Sequence, residues 1–260
     1  MPNLEQLILS GNNIRALSGD NIFEQLPNLK IVDLFGNMID RISPLALQNI
    51  KKPISLLLGY NKIFDLSQFF VSFSGANIKH LDLSNNLFDS LSEFPKIESL
   101  TKITIFMSSL VTINGNHFKN LEKLEHLDLS VSKVRTIEPN SFQSAKNKLI
   151  VSINSNKIES LEPILQCFNG SSAINALFLE GNNIKKLPEF PPLPNLNYLS
   201  LRGNYIAEIS DTTKRSLANV QTINLSANNL TQYPSFEKCA SLYIDYQMSQ
   251  MSIGDYAFDR

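Results

Sequence analysis

Apolar residues return along this chain in one short frame, clearest at Leu196-Asn197-Tyr198-Leu199-Ser200-Leu201-Arg202-Gly203-Asn204-Tyr205-Ile206. The frame is L-x-x-L-x-L-x-x-N-x-I, with apolar places eight, five and three before an asparagine and another two after it. Alternation at Leu199 and Leu201 predicts a short strand with one buried face. The polar Asn204 falls where the chain must leave that strand. One such unit cannot bury its own apolar edge, whereas a stack of them can.

Laying the frame along the chain places asparagines at Asn12, Asn37, Asn61, Asn86, Asn156, Asn182, Asn204 and Asn228, with Ser108 and Ser132 in the same place in two further copies. Subtracting neighbouring numbers gives intervals of 22 to 26 residues, inside the range of leucine-rich repeats. "LDLSNN", "LDLSVS", "LFLEGNN", "LSLRGN" and "INLSANN" carry the match, and over nearly all its length the chain resembles a leucine-rich-repeat protein. The resemblance implies an α/β repeat fold, a curved solenoid of about ten repeats. Its concave side is a parallel β-sheet and its convex side is irregular or short-helical. Two copies are loose: Pro53 and Lys148 stand where the leading apolar residue belongs. Residues 1–235 read as the solenoid, and 236–260 as a partial repeat at its C-terminal edge. There "FEKCASL" and "SIGDYAF" are weakly similar to the BspA-like branch of the superfamily.

Each repeat also needs a way back. Phe23, Leu47, Phe118 and Phe142 lie about ten places beyond the asparagine position and predict a second buried column on the convex side. Pro188, Pro191, Pro192 and Pro194 predict an extended return in repeat eight. Residues 21–26, 45–50, 115–121 and 211–217 have room for a turn or two of helix. An asparagine amide offers donors and an acceptor, so stacked asparagines at this turn predict a ladder that satisfies backbone groups. Serine has a shorter reach, so the ladder should be thinnest at Ser108 and Ser132. That gap reads either as tolerated variation or as a bend or weak joint between repeats five and six.

Strands side by side place every non-core strand residue on one face. Apolar and aromatic residues stand there although the core does not need them: Ile31, Phe35, Leu57, Tyr60, Phe106, Met107, Phe178 and Tyr198. With Lys102 and Arg202 they form the candidate protein-binding face, centred on repeats two, three and five, since exposed aromatics anchor protein partners. The competing reading is the ordinary apolar share of a long surface.

Chemistry adds little. The chain carries 23 basic and 24 acidic residues, which argues against broad attraction to nucleic acid or an anionic membrane. No apolar run approaches the ~18 residues of a membrane helix, and no leader peptide is visible at Met1-Pro2-Asn3. That start, entering a repeat directly, reads as a piece of a longer chain or as an edge covered by something else. Cys167 and Cys239 do not decide the redox compartment. His80 and His126 should lie two strands apart with Lys102 between them, too far to share a metal, and His117 stands alone on a return loop. No catalytic, cofactor-binding or metal-binding motif appears. Asn169, Asn224 and Asn229 match the glycosylation acceptor, with Asn169 on the more exposed loop.

These readings converge on a non-catalytic recognition module that takes a protein ligand on its concave face. The long repeats with phenylalanine in the return are similar to Toll-like and other extracellular members. This implies the ectodomain of a cell-surface receptor or adhesion protein. The alternative is an intracellular scaffold or regulatory subunit. The oligomeric state is not readable.

Overall fold

A computed structural model describes residues 1–73, 75–168 and 171–248. Eleven short strands lie side by side in chain order in one parallel sheet. They are β1 (Gln6–Ile8), β2 (Ile31–Asp33), β3 (Ile54–Leu57), β4 (Ile78–Asp82), β5 (Lys102–Thr104), β6 (His126–Asp128), β7 (Leu149–Ser152), β8 (Ile174–Phe178), β9 (Tyr198–Ser200), β10 (Thr222–Asn224) and β11 (Ser241–Tyr243). The register aligns the frame: Leu7, Val32, Leu56, Leu81, Ile103, Leu127, Val151, Leu177, Leu199, Ile223 and Leu242 meet rung on rung. The fold is thus the parallel-sheet solenoid that the resemblance implies. The eleventh strand continues the sheet, and residues 249–260 lie outside the described residues.

The two loose repeats require a correction. Pro53 and Lys148 do not fill the leading apolar place. Ile54 and Leu149, one residue later, are buried there opposite Ile78 and Ile174. The missing residue is absorbed by a register slip after each of them. Core burial outweighs ladder regularity, so the strand bulges instead of burying a lysine.

The convex side is mostly turns. Short parallel pairs join Ala16–Leu17 to Arg41–Ile42 and Thr112–Ile113 to Thr136–Ile137. Of the four segments with room for a helix, only 211–217 forms one: α3 (Asp211–Ser216), whose cap Ser210 accepts from the Thr213 N–H. The others are chains of turns. In the first, the Asn21 and Ile22 N–H groups bond across to Leu45 and Ala46 of the next repeat. Two helices lie elsewhere. α1 (Leu66–Phe69) is capped by Asp65 and runs on as a 3₁₀ turn through Phe73. α2 (Glu162–Cys167) has a proline in its first turn, where a missing N–H is harmless. The proline-rich return at 188–193 carries no helix, as expected.

Inside, the predicted second column is a stack of rings. Phe70, Phe94, Phe118, Phe142 and Phe168 are all buried. Successive ring centres lie 4.5, 5.6, 5.9 and 5.1 Å apart. The last three pairs are near-parallel, a geometry that adds to simple area burial.

Candidate functional site

The sheet face begins where each strand exits, and the asparagines fix that exit. The Asn182 Nδ2 donates to the carbonyls of Ile153 (2.9 Å), Leu179 (3.1 Å) and Glu180 (3.3 Å), while its Oδ1 accepts from the Ile158 N–H at 3.2 Å. Each such amide therefore ties its own turn to the preceding repeat. Asn37, Asn61, Asn86, Asn156, Asn204 and Asn228 bridge in the same way, and all are buried. Asn12 is exposed and bonds its own turn, at Leu9 and Ser10. Ser108 and Ser132 bond each other, Oγ to Oγ at 2.7 Å, and the Ser108 N–H donates to Ser132 Oγ.

A second set of bonds was hidden in "LDLS". Asp82 and Asp128 do not simply face outward: their Oδ1 atoms accept from the Ser84 and Ser130 N–H groups at 2.9 Å. Ser84 and Ser130 in turn accept from the N–H groups of Phe106 and Asn154 in the next repeat. Much of the polar face is therefore occupied with backbone. The spacing of Asp and Ser two residues apart was the available signal.

The residue just before each asparagine or serine is left-handed in all ten repeats, with φ between +46° and +68°. Glycine takes this conformation without cost, but here it is also held by Tyr60, Asn85, Met107, Val131, Ser155 and Ala227. Ala227→Gly should accordingly raise stability by about 1 kcal/mol. An unchanged or lower urea midpoint would contradict the strain.

The structure gathers part of the candidate face and separates the rest. Phe35 and Tyr60 pack with ring centres 4.8 Å apart, and the Tyr60 hydroxyl reaches Met107 Sδ at 3.4 Å. Gly59 makes the packing possible, since a Cβ there would lie 3.1 Å from the Phe35 ring. Phe35, Tyr60 and Met107 are exposed, and Ile31, Leu57 and Phe106 are half-buried beside them. Phe178 and Tyr198 form a separate pair, 4.9 Å apart, three strands beyond Phe106. Burial, then Glu180 and Tyr243, push the Tyr198 hydroxyl above its ordinary value. Lys102 and Arg202 are exposed on different repeats. Sequence columns through the strands missed a further run of exposed apolar residues on the flank after the asparagines, including Met38, Phe64 and Leu87. Their signal was an apolar residue one or three places after the asparagine.

His80 and His126 flank Lys102 in register, as the spacing requires. His80 meets Thr104 Oγ1 at 3.2 Å; burial and then Lys102 lower its pKa, and Asp82 opposes them. His117 is buried, its Nδ1 accepting from the Asn114 N–H, and burial lowers its pKa. Burial pushes the Cys167 thiol up to about 12, leaving it a poor nucleophile. Among the described residues no group of three His, Cys, Asp or Glu side chains is placed to hold a metal ion, and no helix is long and apolar enough to cross a membrane. Asn169 lies outside the described residues, and the Asn224 side chain is already bonded to the Ser226 N–H.

Family models bear on the repeat itself. "Leucine Rich repeats (2 copies)" matches residues 2–47, "Leucine rich repeat" matches 98–147 and 194–245, and "Leucine Rich Repeat" matches 77–100. Together they span more than half of the 260 residues. No curated protein matches the chain by sequence. Solved structures match by fold. The APL1 leucine-rich repeat domain aligns over 99% of this chain and 66% of its own, with TM-score 0.71 and 18% identity. TLR13, solved as a TLR13–ssRNA13 complex, aligns over 94% of this chain and 38% of its own, with TM-score 0.68 and 22% identity. The structure of the Toll–Spatzle complex, described as a hub in Drosophila development and innate immunity, aligns over 88% of this chain and 32% of its own, with TM-score 0.64 and 23% identity. The chain thus spans between 32% and 66% of the length of these structures. Recurrent frame, bridging asparagines, matched models and superposable solenoids lead to one conclusion: this chain belongs to the leucine-rich-repeat proteins.

Proposed function

We propose that the chain is a non-catalytic recognition module that binds a protein ligand on its concave face. The observation that carries this reading is the exposed Phe35–Tyr60–Met107 cluster, two of whose members stand at left-handed positions that glycine fills more cheaply. Ile31, Leu57 and Phe106 extend the cluster, Lys102 lies at its edge, and Phe178, Tyr198 and Arg202 offer a second contact. TLR13 was solved with RNA and Toll with Spatzle. For this chain a net charge of −1, with Asp33, Asp82 and Asp128 along the face, favours a protein over a nucleic acid.

The long repeats with phenylalanine in their returns, and the fold likeness to Toll and TLR13, support an ectodomain segment of a cell-surface receptor or adhesion protein. An intracellular scaffold is the second reading, and the two free cysteines are compatible with it. Affinity capture from extracellular fluid and from cytosol, comparing the parent with Phe35→Asp/Phe106→Asp, tests both face and compartment. The expected result is a partner from the extracellular fraction whose capture falls at least tenfold in the double variant, a loss in keeping with truncated hot spots. Undiminished capture by the variant would remove the face assignment.

A further inference from the structure

At the asparagine turns an apolar strip runs on from the Tyr60–Met107 edge of the strand-face cluster onto the flank beyond. One place before the turn residue stand Tyr60, Met107 and Val131. One place after it stand Met38 and Leu87, and three places after it Phe64 and Val111. All seven are exposed, Phe64 at 67% and Leu87 at 58%. Backbone bonds stack these columns: Tyr60, Met107 and Val131 donate to Ser84, Ser130 and Asn154 of the next repeats. Met38 and Leu87 donate to Ile14 and Ile63 of the preceding ones. The strip is continuous only over repeats two to six; the column one place after the asparagine turns apolar and exposed again at Tyr205 in repeat nine. In repeats seven and eight the same columns hold Ser155 and Gly181, Lys157 and Asn183, Glu159 and Lys185.

At roughly 80–100 Å² of exposed surface each, the seven side chains offer about 600 Å². That is at the upper end of the largest patch on an ordinary monomer, ~300–600 Å². It also matches the apolar share of a standard interface, about 65% of ~800 Å² per partner.

We infer that this strip is the self-association surface of the chain, meeting a second copy with the solenoids antiparallel about a two-fold axis at Leu87. In an isologous contact each column faces itself with repeat order reversed, so repeat three meets five and repeat two meets six. Phe64 then faces Val111, Tyr60 faces Met107, and Leu87 faces its own copy. At the rim Asp40 faces Arg135, a charge pair at each end of the contact. Asp89, three places after Asn86, faces Asp89 of the other copy and is the one like-charge meeting.

Sedimentation velocity on the parent chain at ~1–100 µM gives the first test. It should show a monomer–dimer equilibrium, with Leu87→Glu and Phe64→Glu monomeric and their circular dichroism and unfolding midpoints unchanged. Arg135→Asp should weaken the dimer about tenfold. Adding Asp40→Arg should restore it, and Asp89→Asn should tighten it. A parent monomeric throughout would overturn the proposal, as would a dimer indifferent to Leu87→Glu. Failure of the charge exchange to rescue Arg135→Asp would overturn the antiparallel register. The sheet-face reading is read separately through Leu87 and Phe64, which lie outside the Phe35–Tyr60–Met107 cluster, so their variants should lose the dimer and keep ligand capture.

Discussion

Phe118→Ala should cost about 3–5 kcal/mol, the range for emptying a buried phenylalanine site. The ring is 2% exposed and lies between Phe94 and Phe142 at 5.6 and 5.9 Å. Its neighbours cannot close the gap, because each is pinned by the next ring: Phe94 by Phe70, and Phe142 by Phe168. The position matters as much as the residue. Repeats five and six are where the asparagine ladder is replaced by Ser108 and Ser132, whose hydroxyls meet each other across the joint. The phenylalanine stack runs straight through that joint on the other side of the core. It supplies there the inter-repeat contact that asparagine supplies elsewhere. Phe118→Leu, which refills most of the volume, should cost well under half as much. Urea unfolding of the two variants checks this, and a loss below about 1 kcal/mol for Phe118→Ala would show that the stack carries little.

Asn182→Ala should cost about 3 kcal/mol. Its amide serves the Ile153, Leu179 and Glu180 carbonyls and the Ile158 N–H, and alanine leaves buried groups among them without a partner. Each buried group stranded in this way costs about 1–3 kcal/mol, and partial rearrangement keeps the total below the simple sum. Asn12→Ala is the internal control. Asn12 is exposed and its amide bonds only its own turn among the contacts described, so its loss should stay within about 0.5 kcal/mol. Equal midpoints for the two variants would mean that bridging between repeats is not what the asparagine provides.

The architecture was legible because one frame recurs every 22 to 26 residues with Asn or Ser at its turn. A signal repeated this often sets strand order, buried column and, outside the two loose repeats, register. What escaped depended on competition that no single repeat displays. Ile54 and Leu149 take the leading core place because the alternative would bury Lys148 or strain Pro53, and the price appears only as a slip between strands. Segment 21–26 has room for a helix, yet its Asn21 and Ile22 N–H groups bond to the next repeat and its Glu24 and Leu26 N–H groups close three-residue turns instead of a helical ladder. Asp82 and Asp128 looked outward by alternation, but each accepts from a backbone N–H two residues on. Among the candidate site residues, proximity of Phe35, Tyr60 and Met107 followed from column position. The separation of Phe178 and Tyr198 from them followed from strand count. The left-handed backbone at Tyr60 and Met107 did not follow, because glycine marks that conformation in only four of the ten repeats.

Hydrogen exchange on the intact chain tests most directly whether neighbouring repeats share one interior. Protection should run unbroken from β3 to β10, deepest around the phenylalanine stack and fading towards the two ends, as nearest-neighbour coupling requires. Two protected blocks divided by fast exchange between Ser108 and Ser132 would contradict it.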